Sequence, residues 1–433
     1  LAKPRPAAFV GQASAGVDVL TGSCAHDETV TAIKSGTRGR ALALIAGAEL
    51  LAMTLWFGVS AVAPQVAAQW RLTAGQTAWL TLSVQLGFVA GTLVSALLNL
   101  PDVLSPRKLM AASALCGAIA NALLAAFAGG VTSVMVLRFV TGICLAGVYP
   151  PGMKLIATWF RERRGVALGV LIGALTLGKA APYLINAVGS SNWRVNVGVA
   201  SLFAAIAALL VGIFVSEGPY ALASQPFDVT QVTKVFANRG VRLANLGYFG
   251  HMWELYAVWT WAPAMMRASL SARGEPAAMG EIASFVLIGS GAIGCVLAGV
   301  VADRVGRAVV AAAAMAVSGA CCFAAGLFFG GPPAALIALA AVWGVSVVAD
   351  SAQFSAAVTE LGDPRYLGTA LTIQTCIGFL ITTVSIRLVP LLIERAGWSW
   401  AFAMLGIGPL LGIVAMWRLR GMTRTGSSAA TAG

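Results

Sequence analysis

Apolar residues in this chain fall in long runs, not in a two- or seven-residue period. The runs cover about 41–65, 75–99, 109–129, 133–158, 164–188, 195–216, 243–268, 279–301, 308–329, 334–358, 366–391 and 398–417, parted by short breaks rich in Arg, Pro and Gly. A helix needs about 20 apolar residues to cross a hydrocarbon core about 30 Å thick, and every run reaches that length. The pattern predicts an all-α membrane protein with twelve transmembrane helices. A more polar stretch, 217–240, parts them six and six: one bundle at 41–216, a cytoplasmic linker, and a second bundle at 241–418. Residues 1–40 and 419–433 read as disordered tails.

Composition supports lipid as part of the solvent. Hydrophobic residues make up 59% of the chain and charged residues only 10%, too few to cover a water-facing surface of this size. The net charge of +12 then bears on orientation instead of nucleic-acid binding, because the Lys and Arg residues lie in short loops. If both termini are cytoplasmic, that side receives Arg38, Arg40, Arg107, Lys108, Arg164, Lys234, Arg239, Arg242, Arg304, Arg307, Arg365, Arg418 and Arg420, among others. The opposite side receives Arg71, Arg194, Arg267, Arg273, Arg387 and Arg395. This bias predicts a multi-pass inner-membrane protein with both ends inside; one helix more or fewer would put successive basic loops on opposite sides. Six of the seven cysteines lie within apolar runs, and none has metal-ligand or CxxC spacing. No metal, cofactor or nucleic-acid partner is expected, and a monomer is.

The two halves echo each other. "PDVLSPRKL" follows the second run and "ADRVGRAVV" the eighth, with Asp102 and Asp303 offset by 201 residues. "RGVALG" opens the fifth run and "YLGTALT" the eleventh, with Gly165 and Gly368 offset by 203. A near-constant offset indicates a duplicated six-helix unit, the usual build of secondary transporters. On these residues, residues 41–420 resemble the major facilitator superfamily of transporters. "GVVADRVGR" (Gly299, Asp303, Arg304, Gly306, Arg307) resembles that family's loop motif after the eighth helix. The first-half copy keeps Asp102 and Arg107 but has Ser105 and Pro106 in place of Gly-Arg. "RFVTGICLAG" (Arg138, Gly142, Gly147) resembles the fourth-helix motif. The stretch from Gly147 to Lys179 is also similar to the nitrate/cyanate permease branch, although the glycine-dense nitrate signature is absent. The resemblance implies alternating access, helices 1, 4, 7 and 10 at the core, a coupling role for Arg138, and conformational roles for the loops that carry Asp102, Arg107, Asp303, Arg304 and Arg307.

Candidate chemistry rests on the few ionisable residues within the runs, each costing at least about 2.5–3.5 kcal/mol to insert. Glu49, Arg138, Lys179, His251, Glu254 and Asp350 lie in the first, fourth, fifth, seventh and tenth runs; the third, sixth, ninth and twelfth carry none in their interiors. The charged helices are expected to line a shared cavity and the others to face lipid. Lys179 comes 15 residues after Arg164, about 22 Å along a helix and too deep to snorkel back to the cytoplasm. Arg138 and Lys179 are candidate anion-binding cations. Tyr183, Trp56, Trp253, Gln85 and Gln374 are candidate solute contacts. Glu49, His251, Glu254 and Asp350 are candidate proton-coupling groups, with Glu254 a possible partner of Lys179. Structural readings stand beside these: Arg138 bonded to backbone carbonyls, the glutamines holding helices together, and the tryptophans in an interfacial belt.

The expectation is a secondary transporter, not an enzyme, that moves a small anionic solute with protons. Two rivals are a proton-coupled drug exporter and a non-transporting sensor of the same fold.

Overall fold

The computed structural model describes residues 35–160, 164–189, 192–220 and 227–430. Most of the expected tail at 1–40, part of the 217–240 linker, and residues 431–433 lie outside them. Twelve long helices run in chain order: α1 Ser35–Ala61, α2 Ala74–Leu97, α3 Pro106–Phe127, α4 Val131–Ala157, α5 Arg164–Val188, α6 Trp193–Phe214, α7 Arg239–Ser271, α8 Ala277–Val305, α9 Arg307–Phe328, α10 Pro333–Leu361, α11 Leu367–Ala396 and α12 Ile407–Ala430. Among the described residues there is no strand.

Eleven of these helices are long and apolar enough to cross a membrane; the exception is α7. At 33 residues α7 is ample in length, but Asn245, His251, Glu254 and its flanking arginines lower its hydropathy. It tolerates them because it is enclosed by protein on most of its surface. Two expected boundaries move. α1 begins at Ser35, ahead of 41, and α12 continues to Ala430, past 418. The continuation "RLRGMTRTGSSAA" holds no proline, so helical hydrogen bonding runs on where the apolar run stops. The linker is not wholly irregular, since Val232–Ala237 forms a short helix before α7 starts at Arg239.

Packing repeats between the halves. α2 packs on α4 as α8 does on α10, α1 on α5 as α7 on α11, and α3 on α6 as α9 on α12. Glycine makes two of these contacts possible. A Cβ at Gly142 would lie 2.0 Å from the Val84 carbonyl oxygen, and one at Gly87 would lie 2.0 Å from that of Phe139. In the second half, a Cβ at Gly294 would lie 2.0 Å from the Val345 oxygen, and one at Gly344 would lie 1.9 Å from that of Leu287. These backbones touch, so any side chain must push the pair apart. Gly142→Leu is expected to cost about 1–3 kcal/mol or more and to reduce the folded yield sharply, read as monodisperse protein in gel filtration; an unchanged yield would mean that α2 and α4 can separate freely.

Between the halves, α5 packs on α8 and α2 on α11. Helices α3, α6, α9 and α12 leave large apolar side chains exposed, such as Leu115 and Ile119, Leu202 and Ile213, Val317 and Phe323, Leu410 and Leu411. They stand at the periphery, where lipid covers them.

Candidate functional site

The site is built where α5 crosses α1. A Cβ at Gly178 would lie 2.2 Å from the Leu50 carbonyl oxygen, so the two backbones meet there, and the next residue is Lys179. Its ammonium is 3% exposed and is held among rings. Nζ donates to Tyr256 Oη of α7 at 2.6 Å. It also stands 4.2 Å from the Trp56 ring centroid, 5.0 Å from Tyr256 and 5.3 Å from Trp259. The ring faces supply negative potential where water is absent. Phe57, Phe88, Tyr183 and Phe379 extend the cluster: Phe88 lies 4.8 Å from Phe379, Tyr256 5.0 Å from Phe379, and Phe57 6.5 Å from Tyr183. Trp56, Phe57, Phe88 and Tyr183 come from the first half, and Tyr256, Trp259 and Phe379 from the second. The ammonium therefore sits on the seam.

Several polar atoms around this seam have no partner. The indole N–H groups of Trp56 and Trp259 and the amide nitrogen of Gln85 are buried without an acceptor. Both carboxyl oxygens of Glu49, on α1, are buried without a donor. Glu49 abuts the break in α4, where a Cβ at Gly152 would lie 2.8 Å from Oε2. The break comes between Ala146 and Tyr149, ahead of Pro150 and Pro151. Glu49 precedes Leu50, whose carbonyl oxygen meets the α5 backbone at Gly178, beside Lys179. Buried polar groups are costly to leave unpaired, so orphaned donors beside a cation suit an incoming acceptor.

Other sequence-expected residues lie elsewhere. Arg138 does not present its guanidinium to the seam. Nε donates to the Leu80 oxygen at 3.1 Å, Nη1 to the Leu55 oxygen at 2.6 Å, and Nη2 to the Trp56 oxygen. It ties α4 to α1 and α2, the structural reading of a buried arginine. Lysine has the charge but not the planar fork. Arg138→Lys is therefore expected to lower the melting temperature by several degrees without altering solute affinity; a selective loss of affinity would return Arg138 to the solute.

Glu254 does not meet Lys179. Its carboxyl accepts from Ser318 Oγ at 2.9 Å, Cys322 Sγ at 3.1 Å and Trp343 Nε1 at 3.2 Å, all on α9 and α10. His251 Nδ1 lies 2.8 Å from Asp350 Oδ1, at the break in α10 between Val347 and Ser351. The stripe of His251 and Glu254 thus faces the interior of the second bundle. Tyr256, two residues on and about 200° around the helix, faces the first. Trp253 turns toward the start of α12, donating to the Met404 oxygen at 3.3 Å. Gln374 bonds Asn245 at 2.9 Å and Ser355 at 3.2 Å within the second half. Gln85 does cross the seam: Thr382 Oγ1 donates to its Oε1 at 2.6 Å.

The loop residues make contacts within their own halves. Asp102 meets Lys154 of α4 at 2.5 Å, and Arg107 donates to the oxygens of Gly212 and Val215 at the end of α6. Arg307 meets Glu360 at 2.6 Å and Gln353 at 3.2 Å on α10, while Asp303 and Arg304 are exposed. At this end of the molecule the linker makes contacts across the halves. Phe227 N donates to Asn99 Oδ1 at 3.3 Å, and Asp228 N to Thr369 Oγ1 at 2.9 Å. At the far end, Glu281 of α8 is hydrogen-bonded by Asn186 of α5 and lies 3.4 Å from Arg267. Contacts on both sides of Lys179 leave it enclosed.

The sequence matches the family profile of the Major Facilitator Superfamily over residues 45–268 and 244–432, nearly all of the described chain. The chain belongs to the major facilitator superfamily. It is a multi-pass membrane protein of a transporter family. Over 266 residues it is 24% identical to the probable sulfoacetate transporter SauU of Cupriavidus necator, an alignment that spans 57% of this chain and 60% of that protein's length.

Sequence reasoning missed Tyr256, Trp259, Phe57, Phe88, Phe379 and Thr382 as neighbours of the cation or of Gln85. Tyr256 and Trp259 stand three apart, a one-face spacing within the same stretch as His251 and Glu254. Only the position of the other half tells which of the two faces meets Lys179.

Proposed function

We propose that this protein moves a small organic anion across the inner membrane together with protons, by alternating access around Lys179. The observation that carries this reading is the Lys179 ammonium, enclosed on the seam among the rings of Trp56, Tyr256 and Trp259, with the indole N–H groups of Trp56 and Trp259 buried without acceptors. An anion would supply those acceptors and take the place of Tyr256 on Nζ. That exchange loosens one contact between the halves, so occupancy and rocking are linked. The similarity to SauU supports a small organic anion as cargo.

Glu49 is the proton carrier in this reading. It is buried, has no donor on either oxygen, and precedes Leu50, where α1 meets α5 beside Lys179. An anion on Lys179 withdraws the charge that favours ionised Glu49, so anion and proton load together. The His251–Asp350 pair, at the matching place in the second half, is a second protonatable centre. Both termini and the 217–240 linker are cytoplasmic, and the monomer is the working unit. A lipophilic cation as cargo is disfavoured by a positive charge at the centre of the aromatic cluster.

Proteoliposomes with an alkaline lumen test this. Compared with protein-free liposomes, labelled ethanesulfonate or benzenesulfonate, monoanions too strongly acidic to cross as neutral acids, is expected to accumulate when the external medium is made acidic and to leak out on adding a protonophore. Accumulation of neither above the protein-free level, or of a lipophilic cation instead, would contradict the reading.

A further inference from the structure

Charge counting around the seam narrows the cargo. Among the described residues, the buried cationic groups within the spans are Arg138, Lys179 and, when protonated, His251. Arg138 is committed to three backbone carbonyls, and His251 is matched by Asp350. Lys179 is the one of the three held by a neutral hydroxyl and ring faces. A second negative charge would have no further cation among the described residues to meet. A buried unpaired charge is strongly disfavoured. The surroundings are aromatic: Trp56, Phe88 and Phe379 meet in tilted pairs with centroids 5.0, 5.6 and 4.8 Å apart, beside Tyr256 and Trp259. Such surroundings offer dispersion contact and ring stacking to an apolar, planar body and little to a hydrated one.

We infer that the site takes a monoanion with an apolar, preferably aromatic, body: an aromatic monocarboxylate, or a monosulfonate of the same shape, and not a small dianion. This rests on the reading of Lys179 as the anion's seat. The carboxylate caps Nζ and the orphaned indole N–H groups, and the ring lies against Phe88 and Phe379. The Gln85 amide borders the same space from α2.

Isothermal titration of the purified full-length protein in detergent tests it, with benzoate, acetate, sulfoacetate and phthalate as probes. Benzoate is expected to bind at least about tenfold tighter than acetate, from the apolar area its ring buries. Sulfoacetate and phthalate are expected to bind about a hundredfold more weakly than benzoate. Benzoate binding should vanish in Lys179→Met, and in Phe379→Ala it should fall several-fold while acetate binding holds; gel filtration checks that both variants are folded. Tighter binding of sulfoacetate or phthalate, lost in Lys179→Met, would overturn the monoanion class and leave Lys179 as the seat. Benzoate binding that survives Lys179→Met would overturn the seat itself. No binding by any of the four, or an equal loss of acetate and benzoate in a folded Phe379→Ala protein, would overturn the inference.

Discussion

Lys179→Met is expected to yield a protein that folds, reaches the membrane and binds no anion. Methionine matches the length of the lysine stem and packs well against aromatic rings, so the cluster of Trp56, Tyr256 and Trp259 keeps its contacts. Tyr256 Oη loses a donor but remains a donor itself and can turn to another acceptor. What disappears is the cation. A hydrogen bond to a charged group contributes about 1.5–3 kcal/mol, and an anion here would accept more than one from Nζ, so affinity should fall by two orders of magnitude or more. Calorimetry on the wild type and the variant, with gel filtration of both, reads this directly. Lys179→Arg keeps the charge and is expected to retain part of the binding. Unaltered affinity in the methionine variant would remove Lys179 from the path.

The second large effect is expected at Glu49. Glutamine preserves the shape beside Gly152 but cannot release a proton. Glu49→Gln should leave exchange of anion for anion across the membrane intact, since that cycle needs no net proton movement. Accumulation against a gradient should be lost. For one proton per monoanion, the wild type should concentrate the anion about tenfold per unit of pH difference, and the variant not at all. Exchange and accumulation are measured in the same vesicles, so a folding defect, which abolishes both, is told apart from uncoupling. Full accumulation in Glu49→Gln, with its loss in His251→Asn, would move the proton to the pair of His251 and Asp350.

The number and order of the helices were legible because bilayer thickness imposes a length that shows as an apolar run. α7 was legible from its own apolar run at 243–268 despite its polar residues, and the loop charges support the count. Helix ends were less legible. The sequence marks where lipid stops, at about 41 and 417, while the helices run from Ser35 and to Ala430 because nothing in the flanking chain breaks them. Within the site, the depth of Lys179 followed from its distance to Arg164, but its neighbours did not. Pairing Lys179 with Glu254 relied on opposite charge. The chain instead gives Glu254 three neutral donors on α9 and α10, and Lys179 a tyrosine hydroxyl and three rings. A buried carboxyl can be satisfied by hydroxyl, thiol and indole as well as by a cation, and spacing on one helix cannot tell which neighbouring helix brings them. Arg138 was ambiguous for the same reason: which backbone carbonyls of other helices lie within its reach leaves no mark in a sequence.

Alternating access to one central cation is the core of the account, and its most direct test is the reactivity of position 179 from each side of the membrane. In a background without the seven native cysteines, Lys179→Cys would be exposed to a membrane-impermeant, positively charged thiol reagent, added to right-side-out and then to inside-out vesicles. The account predicts slow modification from both sides, because the enclosed state shown here must open each way in turn. It also predicts that modification with an aminoethyl reagent restores anion binding by regenerating an ammonium at that place. Modification from one side alone, from neither side, or without recovery of binding would contradict it.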